Sequence, residues 1–367
     1  MSNSSHLYPS LPRFRGLFKE ETHNGFKVVW VNTLKYNHPG SLKRILSWFH
    51  FEAMILIYAL KNRKQKPDVV VASSLSLLSA ITGVFLKKLY KSFFIFEVRD
   101  IWPQSLVELK GLSNTHPFIR FLSWVEKIGY EYADVIVGTM GRLNVHVKKR
   151  IGGDEKVACI PHGVSLEFYE NEQVTIDPQY ITSHFSPLKP NIVYAGSFNQ
   201  AYKLTRFLNL AKNAKGKLDA QFILIGDGPE LAKLQNLSRD IENVSIAPKV
   251  SRASLNSVLQ HADILFHSFD DKPVFMYGVS PNKFIDYMYA GKPTVCLGKV
   301  FCPMLEESGA GIVINPDDEE QFYQNVNEYL SLSSQEKSDL AIHSKQYIVN
   351  QLSYGKLAEK YCALFDG

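Results

Sequence analysis

Cysteine is scarce in this chain. Only Cys159, Cys296, Cys302 and Cys362 occur in 367 residues, and none forms a CxxC pair. That spacing excludes a disulfide-stapled module and a thiolate metal site, and suggests reduced, mostly buried thiols in a cytoplasmic protein. Long apolar runs are missing too. The best, Ala53 to Leu60, is bounded by Glu52 and Lys61, well short of the ~20 residues that cross a bilayer. The opening residues are polar from Met1 to Ser5, with Pro9 and Pro12 close behind, and do not read as a secretory leader. There is no solenoid-period repeat, no low-complexity tract, no GxGxxG loop and no DxD motif. Charge of one sign is also thin. Lys and Arg number 41 against 36 Asp and Glu, a net +5, with a pI near 8.8. So mild an excess is no nucleic-acid signature. It suits phosphorylated ligands and an anionic membrane surface equally.

What is present is an ordinary globular balance, 45% hydrophobic and 21% charged, in a length that suggests two domains. Short Val- and Ile-rich runs at Phe26–Val31, 68–71, Phe93–Val98, 134–137 and 157–161 predict strands. Helical patterns at 42–60, 75–89, 118–130 and 143–150 separate most of them. Such alternation predicts a largely parallel sheet covered on both faces. Residues 167–190 lose the rhythm and carry Pro178, Pro187 and Pro190, which reads as an interdomain linker. Strand runs resume at 192–195, 222–225, 244–246, 264–266, 294–297 and 311–314, predicting a second doubly wound domain over 191–348. A last helix, 349–367, is expected to return to the N-terminal domain, 1–166.

The strongest local signal is Gly278 to Pro293, GVSPNKFIDYMYAGKP. Ser280 suits a helix cap, Pro281 the first helical position and Gly291 the end. The first-turn amides, at Asn282 and Lys283, suit a phosphate. Lys283 stands where the helix dipole disfavours a cation, which makes sense if an anion binds there. Asp286 follows one turn later and suits sugar or ribose hydroxyls. A capped surface helix with an exposed Lys and Asp fits the same residues about as well. Gly226-Asp227-Gly228 is a tight strand-to-helix turn, with Asp227 or Gly228 as the expected cap. Gly196, Ser197 and Asn199 form another polar loop, and Lys203 is expected to open the helix behind it. All three loops follow strand ends, where α/β sheets bind ligands. In the first domain Glu97, Arg99, Asp100 and Trp102 close an apolar strand, either as a phosphate or sugar contact or as a loop-fixing bracket. Ser73-Ser74, Thr139 and His162 are softer candidates for cleft lining.

FEVRDIWP at 96–103, together with Pro161–Val164, Tyr194–Ser197, Ile225–Glu230 and Gly278–Pro293, resembles the GT-B glycosyltransferases. The likeness is to the large retaining family, glycosyltransferase family 4, of bacterial capsule, O-antigen and exopolysaccharide synthesis. Within it, the fucosamine-transferase and colanic-acid branch is the most similar. It runs from about residue 10 to the C-terminus. The resemblance implies two Rossmann-like domains facing across a cleft. The first would lack its initial strand, helix and strand: the expectations are a true start further upstream, a truncated form with folding or activity impaired, or a rearranged sheet. It implies a nucleotide-sugar donor, expected to be a UDP-sugar, with an N-acetylated deoxy sugar as one candidate, and no cofactor and no metal. Asp286 would hold the ribose and Lys283 the diphosphate. Gly278 stands where many relatives carry a glutamate. Gly196, Ser197, Asn199, Lys203, Gly226, Gly228, Ser280, Pro281 and Asn282 would complete the donor site. Glu97, Arg99, Asp100, Trp102, Thr139 and His162 would face the acceptor, with Arg99, Asp100 and Lys283 as the catalytic set. The implied acceptor is an undecaprenyl-diphosphate-linked saccharide in surface-polysaccharide (lipopolysaccharide) synthesis. That places the protein in the cytoplasm, peripheral on the inner membrane face, with Lys87-Lys88, Lys91 and Lys148-Lys149-Arg150 as basic patches. The alternatives are a catalytically impaired partner that binds nucleotide sugar or lipid-linked saccharide, and a UDP-sugar 2-epimerase.

Overall fold

The computed structural model describes residues 1–4, 11–36, 41–74, 76–171 and 173–365. It divides into two compact units. One holds Met1–Gly138 and His146–Ala158, the other Thr139–Val145 and Cys159–Gly367.

The first unit opens on β1 (Phe18–His23) and β2 (Phe26–Val31), an antiparallel hairpin with Phe18 opposite Val31. Asn24 and Gly25 turn it with φ of 48° and 82°, the left-handed pair that a two-residue hairpin turn requires. Phe26–Val31 is therefore a strand, but it pairs with a polar neighbour outside the parallel sheet. That sheet has the order β3 (Val69–Ser73), β4 (Phe93–Val98), β5 (Val135–Gly138), β6 (Val157–Cys159), which leaves β3 at one edge. β4 pairs in parallel with both β3 and β5. Its Phe94, Ile95 and Phe96 are fully buried, as expected of a strand covered on both faces. The helices are α1 (Leu42–Lys61), α2 (Ser79–Tyr90), α3 (Gln104–Lys110), α4 (Pro117–Tyr132) and α5 (Leu143–Ile151).

The second unit begins with α6 (Leu166–Asn171) and α7 (Pro178–His184). The stretch read as a linker thus folds. Asp177 caps α7 by accepting the Gln179 amide at 2.8 Å, and Tyr169 and Phe185 are buried in the core of this unit. Its sheet is parallel throughout: β7 (Asn191–Ser197), β8 (Gln221–Asp227), β9 (Val244–Pro248), β10 (Ile264–Ser268), β11 (Thr294–Leu297) and β12 (Gly311–Ile314). The spatial order is β12-β11-β10-β7-β8-β9. Alternate residues feed two cores, Val193, Ala195, Ile223 and Ile225 on one face and Ile192, Tyr194, Phe222 and Leu224 on the other. Two apolar faces explain why these strands read as unbroken hydrophobic runs. The helices are α8 (Thr205–Asn213), α9 (Leu231–Ser238), α10 (Arg252–Leu259), α11 (Asn282–Ala290), α12 (Pro303–Glu307), α13 (Glu319–Ser331), α14 (Ser334–Tyr347) and α15 (Tyr354–Cys362). Strand order reverses beside β7, so the crevice at the carboxyl ends of β7 and β10 is the topological switch point where such sheets bind ligands.

Two of the free cysteines, Cys296 and Cys302, are buried, while Cys159 and Cys362 are exposed. The last two lie on a sheet-edge strand and on the final helix, so only half of the thiols follow the expected burial. Among the described residues no helix is long and apolar enough to cross a membrane.

Candidate functional site

A cleft of about 380 Å³ opens at the carboxyl ends of β7, β8 and β9. Gly196, Ser197, Gly226, Asp227, Gly228, Lys249 and Val250 are among its walls. Two backbones meet here because a side chain would keep them apart. A Cβ on Gly226, whose φ is 156°, would stand 1.9 Å from the Gly196 carbonyl oxygen. That close approach leaves a wall of main chain, which suits a bulky polar ligand. The Asp227 carboxylate accepts its neighbour's amide, Gly228 N, at 2.8 Å and lies 3.3 Å from Lys249 Nζ. Neither Asp227 nor Gly228 caps α9, which begins at Leu231 behind Glu230.

Lys283 belongs to the first turn of α11, and its side chain runs back to β7. Its Nζ donates to the Tyr194 hydroxyl at 2.8 Å. It lies 4.4 Å and 4.1 Å from the ring centroids of Tyr194 and Tyr202. A Cβ on Gly196 would stand 2.8 Å from it, so the ammonium sits against the cleft wall. Among the described residues it forms no ion pair with a carboxylate. Burial lowers its pKa from 10.5 to about 7. Fully buried His267 stacks on Tyr194 at 5.8 Å. Neither ring nitrogen has a hydrogen-bond partner among the described residues, and burial, then the Lys283 charge, hold its pKa well below the usual histidine range.

Asp286 lies one turn further on, and neither it nor Lys283 is among the residues lining this cleft, Lys283 standing behind the Gly196 wall. Its Oδ1 accepts the Tyr169 hydroxyl at 2.5 Å. Tyr169 in turn stacks on Tyr289, with ring centroids 4.0 Å apart. Burial raises the Asp286 pKa, opposed by the Tyr169 hydrogen bond and by the charges of Arg252 and Lys283.

The start of α11 differs from the sequence reading. Pro281 occupies the cap position with extended backbone, ψ 129°, and the helix begins at Asn282. The residue before a proline is pushed toward extended geometry, which moves Ser280 out of capping reach. Its hydroxyl instead accepts the His162 amide at 3.1 Å. Ser280 and Thr139 line a separate cavity of about 330 Å³, with Cys159, Pro161 and Tyr347. Gly278 has φ 122°, and a Cβ there would stand 2.6 Å from the Gly141 amide nitrogen. No side chain of any kind fits at that approach, which is a local reason for glycine at this position.

Asn199 caps a short turn, Gln200–Tyr202, by accepting the Ala201 amide at 3.0 Å. Lys203 does not open a helix. It adopts φ 44° between that turn and α8, and its ammonium pairs with Asp270 at 2.7 Å. A carboxylate already neutralises it.

In the first unit the charges of the FEVRDIWP loop are likewise satisfied locally. Arg99 Nη1 lies 3.3 Å from Glu97 Oε1, and the Arg99 amide donates to Ser74 Oγ at 2.9 Å. Asp100 accepts the Trp102 indole N–H at 3.0 Å on one oxygen and the Ser105 hydroxyl at 2.5 Å on the other. These contacts brace the loop, but Arg99 and Asp100 are exposed, so the bracket is not the buried one expected.

The comparisons agree with this architecture. Residues 189–331 match the family model for glycosyl transferases group 1. The chain has the GT-B fold. It is 21% identical over 84% of its length to 77% of an Escherichia coli K12 protein named as a putative colanic acid biosynthesis glycosyl transferase, WcaI. The Anabaena protein HepE, solved with UDP, superposes with a TM-score of 0.64 at 14% identity, covering 88% of this chain and 84% of its own. The sucrose-phosphate synthase of Thermosynechococcus elongatus gives 0.67 at 14% identity over 96% and 85%.

The sequence had named the glycines and Lys283. It did not single out the Tyr194 hydroxyl, Tyr202, His267, Lys249 or Tyr169. Tyr194 carried a usable signal, a polar-tipped residue inside an otherwise aliphatic strand end.

Proposed function

We propose that the protein is a retaining glycosyltransferase that moves a sugar from a UDP-sugar to a lipid-linked saccharide during surface-polysaccharide synthesis. One observation carries the donor half of this reading. Lys283 is held against a glycine-walled cleft by aromatic rings and a hydroxyl, with a depressed pKa and, among the described residues, no carboxylate ion pair. A cation desolvated in that way is costly on its own and becomes favourable when a diphosphate arrives. The UDP bound by HepE and the colanic-acid name of WcaI support the substrate class. A donor sugar of the N-acetylated deoxy type and an undecaprenyl-diphosphate acceptor at the inner face of the cytoplasmic membrane complete the proposal.

In the proposed step the bond between the anomeric carbon and the diphosphate oxygen breaks while the acceptor oxygen bonds to that carbon from the same face. The acceptor proton passes to the leaving diphosphate. Lys283 stabilises the charge that develops there. Gly196, Ser197, Gly226 and Gly228 hold the nucleotide, and the first-turn amides at Asn282 and Lys283 lie beside its phosphates. Asp286, tied to Tyr169, needs that bond loosened to reach a ribose hydroxyl. Arg99 and Asp100 act on the acceptor side through the loop they brace.

A second reading has its own observation. The first unit has β3 at the edge of a four-strand sheet, with β2 elsewhere, so a protein that binds donor without transfer is the alternative. Titration with UDP- and GDP-sugars, followed by radiolabel transfer to a lipid-linked acceptor, separates the two. Binding with transfer supports the enzyme. Binding without transfer favours the partner. Failure to bind any nucleotide sugar sinks both.

A further inference from the structure

The basic patches that first suggested membrane contact are partly neutralised in the fold. Lys87 pairs with Asp134 at 2.7 Å, Lys148 with Asp154 at 3.5 Å and Arg150 with Glu126 at 2.8 Å. A different surface of the first unit has the right chemistry. Along α1, Leu42, Leu46 and Phe49 are 77%, 56% and 46% exposed, and Leu60 continues the same stripe. Spacings of four and three residues put these side chains on one face, which runs about 27 Å along the helix. The stripe continues onto α4. Phe49 stacks on Phe121 with centroids 6.3 Å apart, and Phe121 meets Trp124, itself 54% exposed.

The charges around this surface are mostly basic. Lys43 and Arg44 stand in the first turn of α1, and Arg120 and Lys127 on the outward side of α4. Neither helix has an acidic residue in its first turn. The two acids nearest in sequence, Glu52 and Glu126, are buried, and the exposed Glu131 pairs with Lys127 at 3.5 Å. Cations at the α1 N-terminus oppose the helix dipole, so an outside anion would improve them. Apolar and Trp side chains rimmed by Lys and Arg match a bilayer interface with anionic headgroups. The surface also borders the acceptor loop, since Trp48 of α1 meets Trp102 with centroids 5.7 Å apart.

We propose that the α1–α4 face lies in the interface of an anionic membrane and brings the Arg99–Trp102 loop to the lipid-linked acceptor. This deepens the acceptor half of the proposed function and rests on it. The test is sedimentation of the full chain with phosphatidylglycerol/phosphatidylcholine vesicles and with phosphatidylcholine alone, alongside UDP titration. Wild type should sediment with the anionic vesicles, and Trp emission should shift to the blue. A Leu46→Asp/Phe49→Asp variant and a Lys43→Glu/Arg120→Glu variant should each bind at least about tenfold less. All four positions are on the surface, and circular dichroism checks that the variants fold. Absent binding by wild type, or unchanged binding by both variants, overturns the proposal. So does a wild-type dimer that the Leu46/Phe49 variant converts to monomer, which would assign the face to a second copy. Lost vesicle binding with UDP binding intact sinks this inference alone. Lost UDP binding with vesicle binding intact sinks the donor reading alone.

Discussion

Two segments of this molecule bring charge beside a buried parallel strand and behave differently in the fold. One is the loop directly after β4, and the other is the first turn of α11, whose lysine reaches back to β7. In the first unit, Arg99 faces Glu97, and both oxygens of Asp100 are taken by Trp102 and Ser105. In the second unit, Lys283 has two aromatic rings and one hydroxyl and, among the described residues, no carboxylate ion pair, with Asp286 acting only through its charge. The first set is complete without a ligand. The second is improved by an anion. Charge beside a strand end is therefore weak evidence of a site, and the absence of a direct ion pair is the stronger sign.

The largest effect that would sharpen this comparison is in the cleft wall. Gly226→Ala places a Cβ 1.9 Å from the Gly196 carbonyl oxygen. It should destabilise the protein by about 3 kcal/mol, read by urea denaturation, and should abolish nucleotide binding. A stable, binding-competent variant would break the account of the close approach. Next is Lys283→Met, expected to weaken UDP binding by about 2 kcal/mol, the scale of a charged hydrogen bond, in calorimetric titration. Its stability should hold or rise, because it removes a desolvated cation. The opposite is expected in the first unit. Asp100→Asn should cost about 1 kcal/mol of stability and leave UDP affinity unchanged.

The pH dependence follows from the same lysine. Its pKa falls from 10.5 to about 7 in the folded chain, so the unfolded chain binds more protons between those values. Its penalty to folding is fully present below about pH 7 and is relieved as pH rises toward 10.5. Denaturation of wild type and Lys283→Met across that window should show the variant losing this gain. Parallel curves would contradict it.

Much of this was legible in the sequence. The second sheet, the α11 helix ended by Gly291 and the glycine loops follow from local patterns, because periodicity, turn residues and caps act over a few residues. The misses are long-range. Lys203 meets Asp270, Ser280 meets the His162 amide 118 residues away, and Tyr169 reaches Asp286 across 117. No local rule fixes which charge or hydroxyl a fold brings together. The hairpin was different, since Asn24-Gly25 between two runs is a turn signal. The polar alternation of FKEETH hid its first strand.

The central claim is that Lys283 is held ready for an anionic ligand. UDP titrations of wild type and Lys283→Met between pH 7.5 and 9 test it directly. Wild-type affinity should fall by up to about tenfold per pH unit as the free lysine loses its proton, and the variant should bind weakly with a flat profile. Equal slopes in the two proteins, or UDP binding unaffected by the substitution, would contradict the account.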